Sequence, residues 1–473
     1  MPGKRSVDPF GLLAPGAAMG AIWERLASSF QAVTRDGARA RWALLACMSV
    51  VLLIGAAAYY GKITSEKRSN RSAIQRWQPQ ILGLEQGEDI SQKYAYPNPP
   101  IMSVLLLPLA KLPSGVMAIT WYLLKVGMAV LSTAWILAMV DPQKRLPWWA
   151  QGLAILLAIR PIIGDLQHGN VNLFVFFIVV AALRLAMAGW SFSGGIALAL
   201  AVSCKVTPLL FVPYFLWKRD WRLLAGWAVG MGLFLYPGVV PALYLGWDEN
   251  QRNLVSWYKE MVHPFLVEGK VTSEHPNQSI PGLVFRMLTE SPSFVVYPNG
   301  VFTPAEYHNI ASLSPAMAKR LVQVCMLGFV AAVVFCCRNP LAKAGEGLAS
   351  NRYLAAEFGL VCIGMLLFSE RTWKHHAVTL ALPWAVWAAA LATATSRQAR
   401  AGWITLAVVA QISLWTTSTG LLDDRTAKMG QVYGGYTWAF LLLAAGMAVT
   451  AWQGRTAQQA ETTSLEPNLK LAA

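Results

Sequence analysis

Ser369-Glu370-Arg371-Thr372-Trp373-Lys374-His375-His376 is an octet of mostly ionisable or polar side chains between two apolar runs, Tyr353 to Phe368 and Ala377 to Ala392. Both runs read as membrane-spanning helices. Ionisable groups in or beside a bilayer are costly, so a cluster held this tightly between hydrophobic segments marks a working site. The same pattern decides the fold, because runs of this kind recur along the whole chain.

Of 473 residues, 55% are hydrophobic and only 13% are charged, the composition of a polytopic membrane protein. The net charge of +15 would suggest nucleic acid in a soluble chain. Here the basic residues punctuate the ends of apolar runs, which is an orientation signal, and nucleic-acid binding is set aside. The six cysteines all fall inside apolar runs without metal-ligand spacing and read as small hydrophobes.

Apolar runs occur at Trp42 to Tyr60, Gly115 to Val140, Trp149 to Ile159, Asn170 to Ala188 and Leu223 to Leu245. They resume at Leu321 to Cys337, Tyr353 to Phe368, Ala377 to Ala392, Ile404 to Thr419 and Trp438 to Trp452. The stretch from Gly194 to Trp217 is broken by Lys205 and Pro208. Short loops carry Lys144 with Arg145, Lys218 with Arg219 and Arg222, Arg338 with Lys343 and Arg352, and Arg397 with Arg400. Placing these and the basic N-terminus on the cytoplasmic side requires Gly194 to Trp217 to go out and come back, a broken hairpin with Lys205 near its outer apex. The expectation is an all-α polytopic membrane protein of about 12 transmembrane helices in the bacterial inner membrane, both termini cytoplasmic. Its parts are a cytoplasmic amphipathic segment over 1–41, the membrane domain over 42–452, and a cytoplasmic disordered tail over 453–473. Two outer loops, 61–113 and 246–315, would cap the bundle.

On this topology all six histidines lie outside, and His375 and His376 beside Arg371 form a set suited to holding a phosphate. Lys205 reads as a cation facing a cavity, because Pro208 and Pro213 break the helices around it. Asp165 to Asn172 gathers His168, Asn170 and Asn172 just before an apolar run, more polar groups than one helix cap needs. Asn277-Gln278-Ser279 is a further polar cluster and matches a glycosylation acceptor pattern. No clustered carboxylates argue for a metal ion, and no cofactor is implied.

Four elements in order carry a resemblance: Tyr96-Pro97-Asn98-Pro99-Pro100, Gly169-Asn170-Val171-Asn172, Ala201 to Pro208 followed by Lys218 to Arg222, and Trp373-Lys374-His375-His376 after Asn277-Gln278-Ser279. Together, over Trp42 to Trp452, they resemble the polytopic glycosyltransferases of the C superfamily, specifically the polyprenol-phosphate-mannose-dependent alpha-1,2-mannosyltransferase family. The resemblance implies a polyprenyl-phosphate-linked sugar donor, a glycolipid or glycan acceptor, and an inverting transfer on the outer face. It also implies a carboxylate that takes the acceptor proton and cations that steady the leaving phosphate. Lys205, Arg371, His375 and His376 suit the second role, with His168, Asn170, Asn172, Asn277 and Ser279 as further substrate contacts. The family pattern places an Asp near Ala73 and a Gln where Asn170 stands, and this chain has neither. Glu66 and Asp165 are then the leading candidates for the base, ahead of Glu85, Glu88 and Asp89. A transporter or flippase for a lipid-linked anionic substrate is the alternative, since broken helices and buried charge serve transport too.

Overall fold

The computed structural model describes residues 37–65, 72–341 and 348–470. By contact the chain separates after Ile54, so that residues 37–54 are the first part of the helix Gly37–Ile63, and the rest of the fold belongs to the unit beginning at Gly55. A two-stranded antiparallel hairpin, Phe294–Val296 with Thr303–Glu306, is the only sheet among the described residues. Everything else regular is helical, and the protein is an all-α polytopic membrane protein.

Seven helices among the described residues are long and apolar enough to cross a membrane, and Pro100–Ala110, Asn172–Met187, Ser191–Cys204 and Thr207–Trp217 are shorter apolar pieces. The seven are not equivalent. Lys374–Thr393 is 72% buried and is wrapped by its neighbours, whereas Pro315–Cys336 is 6% buried and presents its side chains outward. The octet therefore runs into the centre of the bundle. That central segment begins as a tight 3-10 coil, Lys374–Leu380, before the α-helix Ala381–Thr393. Pro383 has no N–H to give the carbonyl of Thr379, so regular α-helical bonding cannot extend back through that turn.

The break expected at Lys205 is present. Ser191–Cys204 ends with Lys205 in extended backbone, a 3-10 turn covers Thr207–Leu210, and Phe211–Trp217 runs on. The chain returns to where it started, because Ser191 Oγ donates to Asp220 Oδ2 at 2.9 Å. Lys205 and Lys218 consequently lie at opposite ends of a hairpin. The following helix, Trp221–Phe234, crosses Ser191–Cys204 so closely that a Cβ on Gly195 would stand 2.0 Å from the Leu223 carbonyl oxygen, and one on Gly226 2.0 Å from that of Phe192. Small residues at such a crossing let backbones meet, which is how helices pack without a hydrophobic drive between them. The run expected as one span from Leu223 to Leu245 is bent at Tyr236-Pro237-Gly238, resuming as Val239–Leu245.

At the Lys218 end the basic loops gather. Glu357, fully buried, accepts from Lys218 Nζ at 2.7 Å, Tyr214 OH at 2.6 Å, and the backbone and side-chain nitrogens of Asn339, both at 2.8 Å. Asn339 also donates to the Ala451 carbonyl at 3.0 Å. A buried ion pair with its remaining lone pairs filled is a latch whose removal from one side is expensive.

Two sequence expectations change here. The run expected over Trp149 to Ile159 is the helix Trp148–His168, so Asp165 and His168 lie on its last turns and not in a loop. Gly169, at φ +67°, ends it with the left-handed residue typical of helix C-termini. The expected amphipathic N-terminal segment falls almost wholly outside the described residues, and the last helix, Gly435–Lys470, runs on through the segment expected as a disordered tail.

Candidate active site

A cavity of about 470 Å3 opens at the end of the hairpin that carries Lys205. It is built by the helix Ala73–Glu85 with the Tyr94 to Asn98 turn, Asn170, the break at Lys205, the stretch from Trp257 through the π-helical turn to Phe265, and the octet. Its lining mixes two chemistries, the cationic Arg76, Lys205 and Arg371 with His376, and the aromatic Trp77, Tyr94, Trp257 and Phe265, and the Arg371 guanidinium lies 5.6 Å from the centre of the Phe265 ring.

Lys205 is not free to swing. Its ammonium donates to Asn172 Oδ1, and Asn172 Nδ2 donates to Asp165 Oδ1 at 2.9 Å. Asp165 Oδ2 in turn meets Lys125 Nζ at 3.0 Å with both side chains fully buried. Lys125 also donates to the carbonyls of Asp165, 2.6 Å, and Asn170, 3.1 Å. The result is a chain Lys125, Asp165, Asn172, Lys205 that runs from the interior to the cavity wall. Buried charges need partners, and here Lys125 and Asp165 are ion-paired while the Lys205 ammonium is held by the neutral Asn172 amide.

Asp165, expected as a base, stands inside this chain. Its oxygens are occupied by Lys125, Asn172 and the Leu173 N–H, and it does not line the cavity. Glu66 lies outside the described residues. Glu85 and Glu88 are tied to Lys111 and Lys93, and Asp89 caps the helix Ile90–Tyr94 and accepts from Ser256 Oγ at 2.7 Å. The one carboxylate among the described residues lining the cavity is Glu370, inside the octet. Its Oε1 lies 3.1 Å from Arg371 Nε. Burial pushes its carboxyl up to about 7, against the opposing pull of Arg371, Lys270 and Lys205.

The histidines split. His168, His375 and His376 converge: the rings of His168 and His375 stack at 4.2 Å, and His375 and His376 meet edge to face at 4.8 Å. His375 Nε2 is 3.2 Å from Asn170 Nδ2, so Asn170 and His376 reach the cavity while His168 and His375 back them. His263 pairs with Glu268, and His275 and His308 flank Phe294 on the small hairpin. Sharing one side of the sequence-derived topology did not mean sharing one site.

Asn277 and Ser279, expected as substrate contacts, face the protein. Asn277 Nδ2 donates to the carbonyls of Thr272 and Glu370, both 2.8 Å, and its Oδ1 accepts from the N–H groups of Thr372, 3.0 Å, and Ser279, 3.1 Å. Gln278 adds its own N–H to the Thr372 carbonyl at 2.7 Å, and Ser279 caps the helix Ile280–Leu288. All three are fully buried, which leaves the Asn277 amide no access to a glycosylating enzyme. They clamp the backbone of the octet. Sequence reading also passed over Lys125, whose signal is a lysine in the middle of the apolar run Gly115 to Val140, and Arg76, a basic residue of the outer loop 61–113.

Fold and cavity together define a polytopic membrane protein with a buried, cation-lined and aromatic-walled site at one end of its helices. The profile of Glycosyltransferase family 87 matches residues 96–363, more than half of the chain, and the protein belongs to that family. The match takes in Asp165, Asn170, Asn172 and Lys205 and stops before the octet. Two proteins named as polyprenol-phosphate-mannose-dependent alpha-(1-2)-phosphatidylinositol mannoside mannosyltransferases are similar over more of it. The one from Mycolicibacterium smegmatis is 26% identical across 83% of this chain and 83% of its own. The one from Mycobacterium tuberculosis is 26% identical across 78% of this chain and 80% of its own. No solved structure matches. Family membership makes the protein a glycosyltransferase and removes the transporter alternative.

Proposed function

We propose that the protein moves mannose from a polyprenyl-phosphate donor to a glycolipid acceptor, inverting the anomeric carbon, in the cavity between Lys205 and the octet. The observation that carries this reading is the charge of that cavity: Arg76, Lys205 and Arg371 against the single carboxylate Glu370. A sugar phosphodiester gains negative charge on its phosphate as the glycosidic bond breaks. Fixed cations at that position bind the transition state more tightly than the ground state, which is the condition for catalysis. Lys205 is fixed by the buried chain behind it, so little reorganisation is needed as the charge develops. Trp77, Tyr94 and Trp257 give the lining aromatic surface of the kind that pyranose rings pack against. The two relatives act, by their names, with such a donor on phosphatidylinositol mannosides.

We propose further that the active site faces outward. Lys218, Arg338 and Arg352 sit at the end of the bundle opposite Lys205, and the excess of basic residues marks the cytoplasmic side. The two loops expected as a cap, 61–113 and 246–315, touch each other over the cavity's edge, where Trp257 Nε1 donates to the Pro97 carbonyl at 3.1 Å.

The test is transfer by the full chain in lipid nanodiscs, with radiolabelled polyprenyl-phosphate mannose and a phosphatidylinositol mannoside extract. A new labelled glycolipid is expected with this donor and none with a sugar nucleotide. Transfer from the nucleotide, or no transfer from the lipid donor, overturns the reading. For the side, a cysteine introduced as Trp373→Cys is expected to react with an impermeant maleimide in intact cells, above the background of the unsubstituted protein.

A further inference from the structure

The family pattern leaves the acceptor without a base at Ala73, and the structure closes that position. Ala73 is fully buried at the start of the helix Ala73–Glu85, next to Ser72, whose hydroxyl bonds Tyr59 at 3.0 Å. No oxygen of Asp165 is available either. We infer that Glu370 is the catalytic base, taking the proton of the acceptor hydroxyl as that oxygen attacks the sugar. This rests on the transferase reading above and names the residue that performs its proton transfer.

Three observations carry it. Glu370 is the only carboxylate among the described residues that lines the cavity, and it does so from the same loop as Arg371 and beside Ser369, both of which also line it. Its backbone is fixed: the Glu370 carbonyl accepts from Asn277 Nδ2, the Thr372 N–H donates to Asn277 Oδ1 and the Thr372 carbonyl accepts from the Gln278 N–H, and Thr372 Oγ1 donates to the Leu366 carbonyl at 2.6 Å. A base placed on a clamped loop is pre-positioned, which is what proton transfer in a transition state requires. The third is chemical. The side chain is part-buried among cations, with Arg371 beside it in the octet, Lys270 from the 246–315 loop and Lys205 from the broken hairpin acting on it, and Arg76 and His376 lining the same cavity. Burial outweighs these cations and leaves the carboxyl at about 7, a proton acceptor matched to neutral pH.

The step balances without a further reactant. The acceptor O–H gives its proton to a Glu370 carboxylate oxygen. The acceptor oxygen forms the new bond to the anomeric carbon, and the bond from that carbon to the phosphate oxygen breaks. Its electron pair leaves on the polyprenyl phosphate, beside Lys205 and Arg371. The competing role for Glu370 is purely structural, holding Arg371 in place through their 3.1 Å contact.

The experiment compares full-length wild type, Glu370→Gln, Glu370→Asp and Glu66→Gln in the nanodisc assay above, from pH 5.5 to 8.5, with polyprenyl-phosphate binding measured in parallel. For wild type, kcat is expected to rise with pH through about 7 as Glu370 loses its proton. Glu370→Gln is expected to lower kcat by about 100- to 10,000-fold and remove that rise, with polyprenyl-phosphate affinity changed less than about threefold. Glu370→Asp is expected to keep part of the rate and a rise at lower pH. A Glu370→Gln rate within about threefold of wild type overturns the inference. So does a parallel loss of polyprenyl-phosphate affinity, which would assign Glu370 to holding Arg371. So does removal of the pH rise by Glu66→Gln instead. If wild type transfers nothing, the transferase reading fails first and this inference falls with it.

Discussion

Asp165→Asn separates the structural account of the buried chain from the catalytic one. Asp165 and Lys125 are both fully buried and 3.0 Å apart, and removing one partner of such a pair costs about 3–5 kcal/mol, because the other charge is left in the interior. Lys125 would keep its contacts to the backbone carbonyls at positions 165 and 170, and the introduced amide oxygen could still accept from Asn172, so the lower figure, about 3 kcal/mol, is expected. Adding Lys125→Met removes the orphaned ammonium along with its partner. The double variant is expected to return to within about 1 kcal/mol of wild type, leaving a coupling of about 2 kcal/mol or more. The assay is equilibrium unfolding of the four proteins of the cycle in mixed micelles, with transfer measured on each in nanodiscs. Transfer by Asp165→Asn is expected to fall only as far as Lys205 loses its orientation, and to recover in part in the double variant. A stability loss under about 0.5 kcal/mol would refute the buried-pair argument. Unchanged stability with abolished transfer and intact donor binding would make Asp165 the base, as the sequence suggested.

Other expectations follow from single contacts. Lys205→Met is expected to lower kcat by about 100-fold or more with a smaller change in donor KM, because the charge it stabilises is largest in the transition state; steady-state kinetics would show this, and a change confined to KM would contradict it. Asn277→Ala strips four hydrogen bonds to backbone groups, two of them in the octet, and is expected to cost about 3 kcal/mol in unfolding experiments, with a slower transfer rate from a loosened Glu370 loop. Burial holds His275 down to about 4, against about 6.5 when unfolded. The unfolded chain therefore binds that proton first, so the residue's contribution is complete above about pH 6.5 and is lost as pH falls toward about 4. His275→Gln is expected to flatten the decline of melting temperature across that window.

The fold was legible where hydrophobic length and charge asymmetry are local signals. The octet between two helices and the break at Lys205 each depend on a few adjacent residues, and both are present in the fold. The helix Trp148–His168 was cut short because Arg160 and Pro161 interrupt its apolar run, yet an arginine satisfied by the Leu414 carbonyl does not end a helix. The candidate site was legible in its residue types and much less in their directions. Lys205, Asn170, His376 and Arg371 do line one cavity. Asn277 and Ser279 look equally exposed on paper, and whether an amide faces a ligand or a neighbouring loop is set by partners about ninety residues away. Glu370 was hidden for a related reason: beside Arg371 it reads as half of a surface ion pair, and only the cavity shows which way the loop presents it.

The two layers of the site explain one another. A cation on a cavity wall gains most catalytically when it cannot relax away from the developing charge, but fixing it takes hydrogen bonds that partly neutralise it if they come from a carboxylate. Asn172 resolves this by standing between Asp165 and Lys205 as a neutral amide, accepting from one and donating to the other. The anion stays one residue further in, balanced by Lys125, and the cavity keeps the full charge of Lys205. Replacing Asn172 by Asp would put a carboxylate directly against the ammonium and is expected to slow transfer by about tenfold or more; it also replaces the donor to Asp165 Oδ1 with a second carboxylate oxygen, so a loss of stability is expected beside the loss of rate. A rate equal to wild type in that variant would show that the charge of Lys205 is not what the cavity supplies to the reaction.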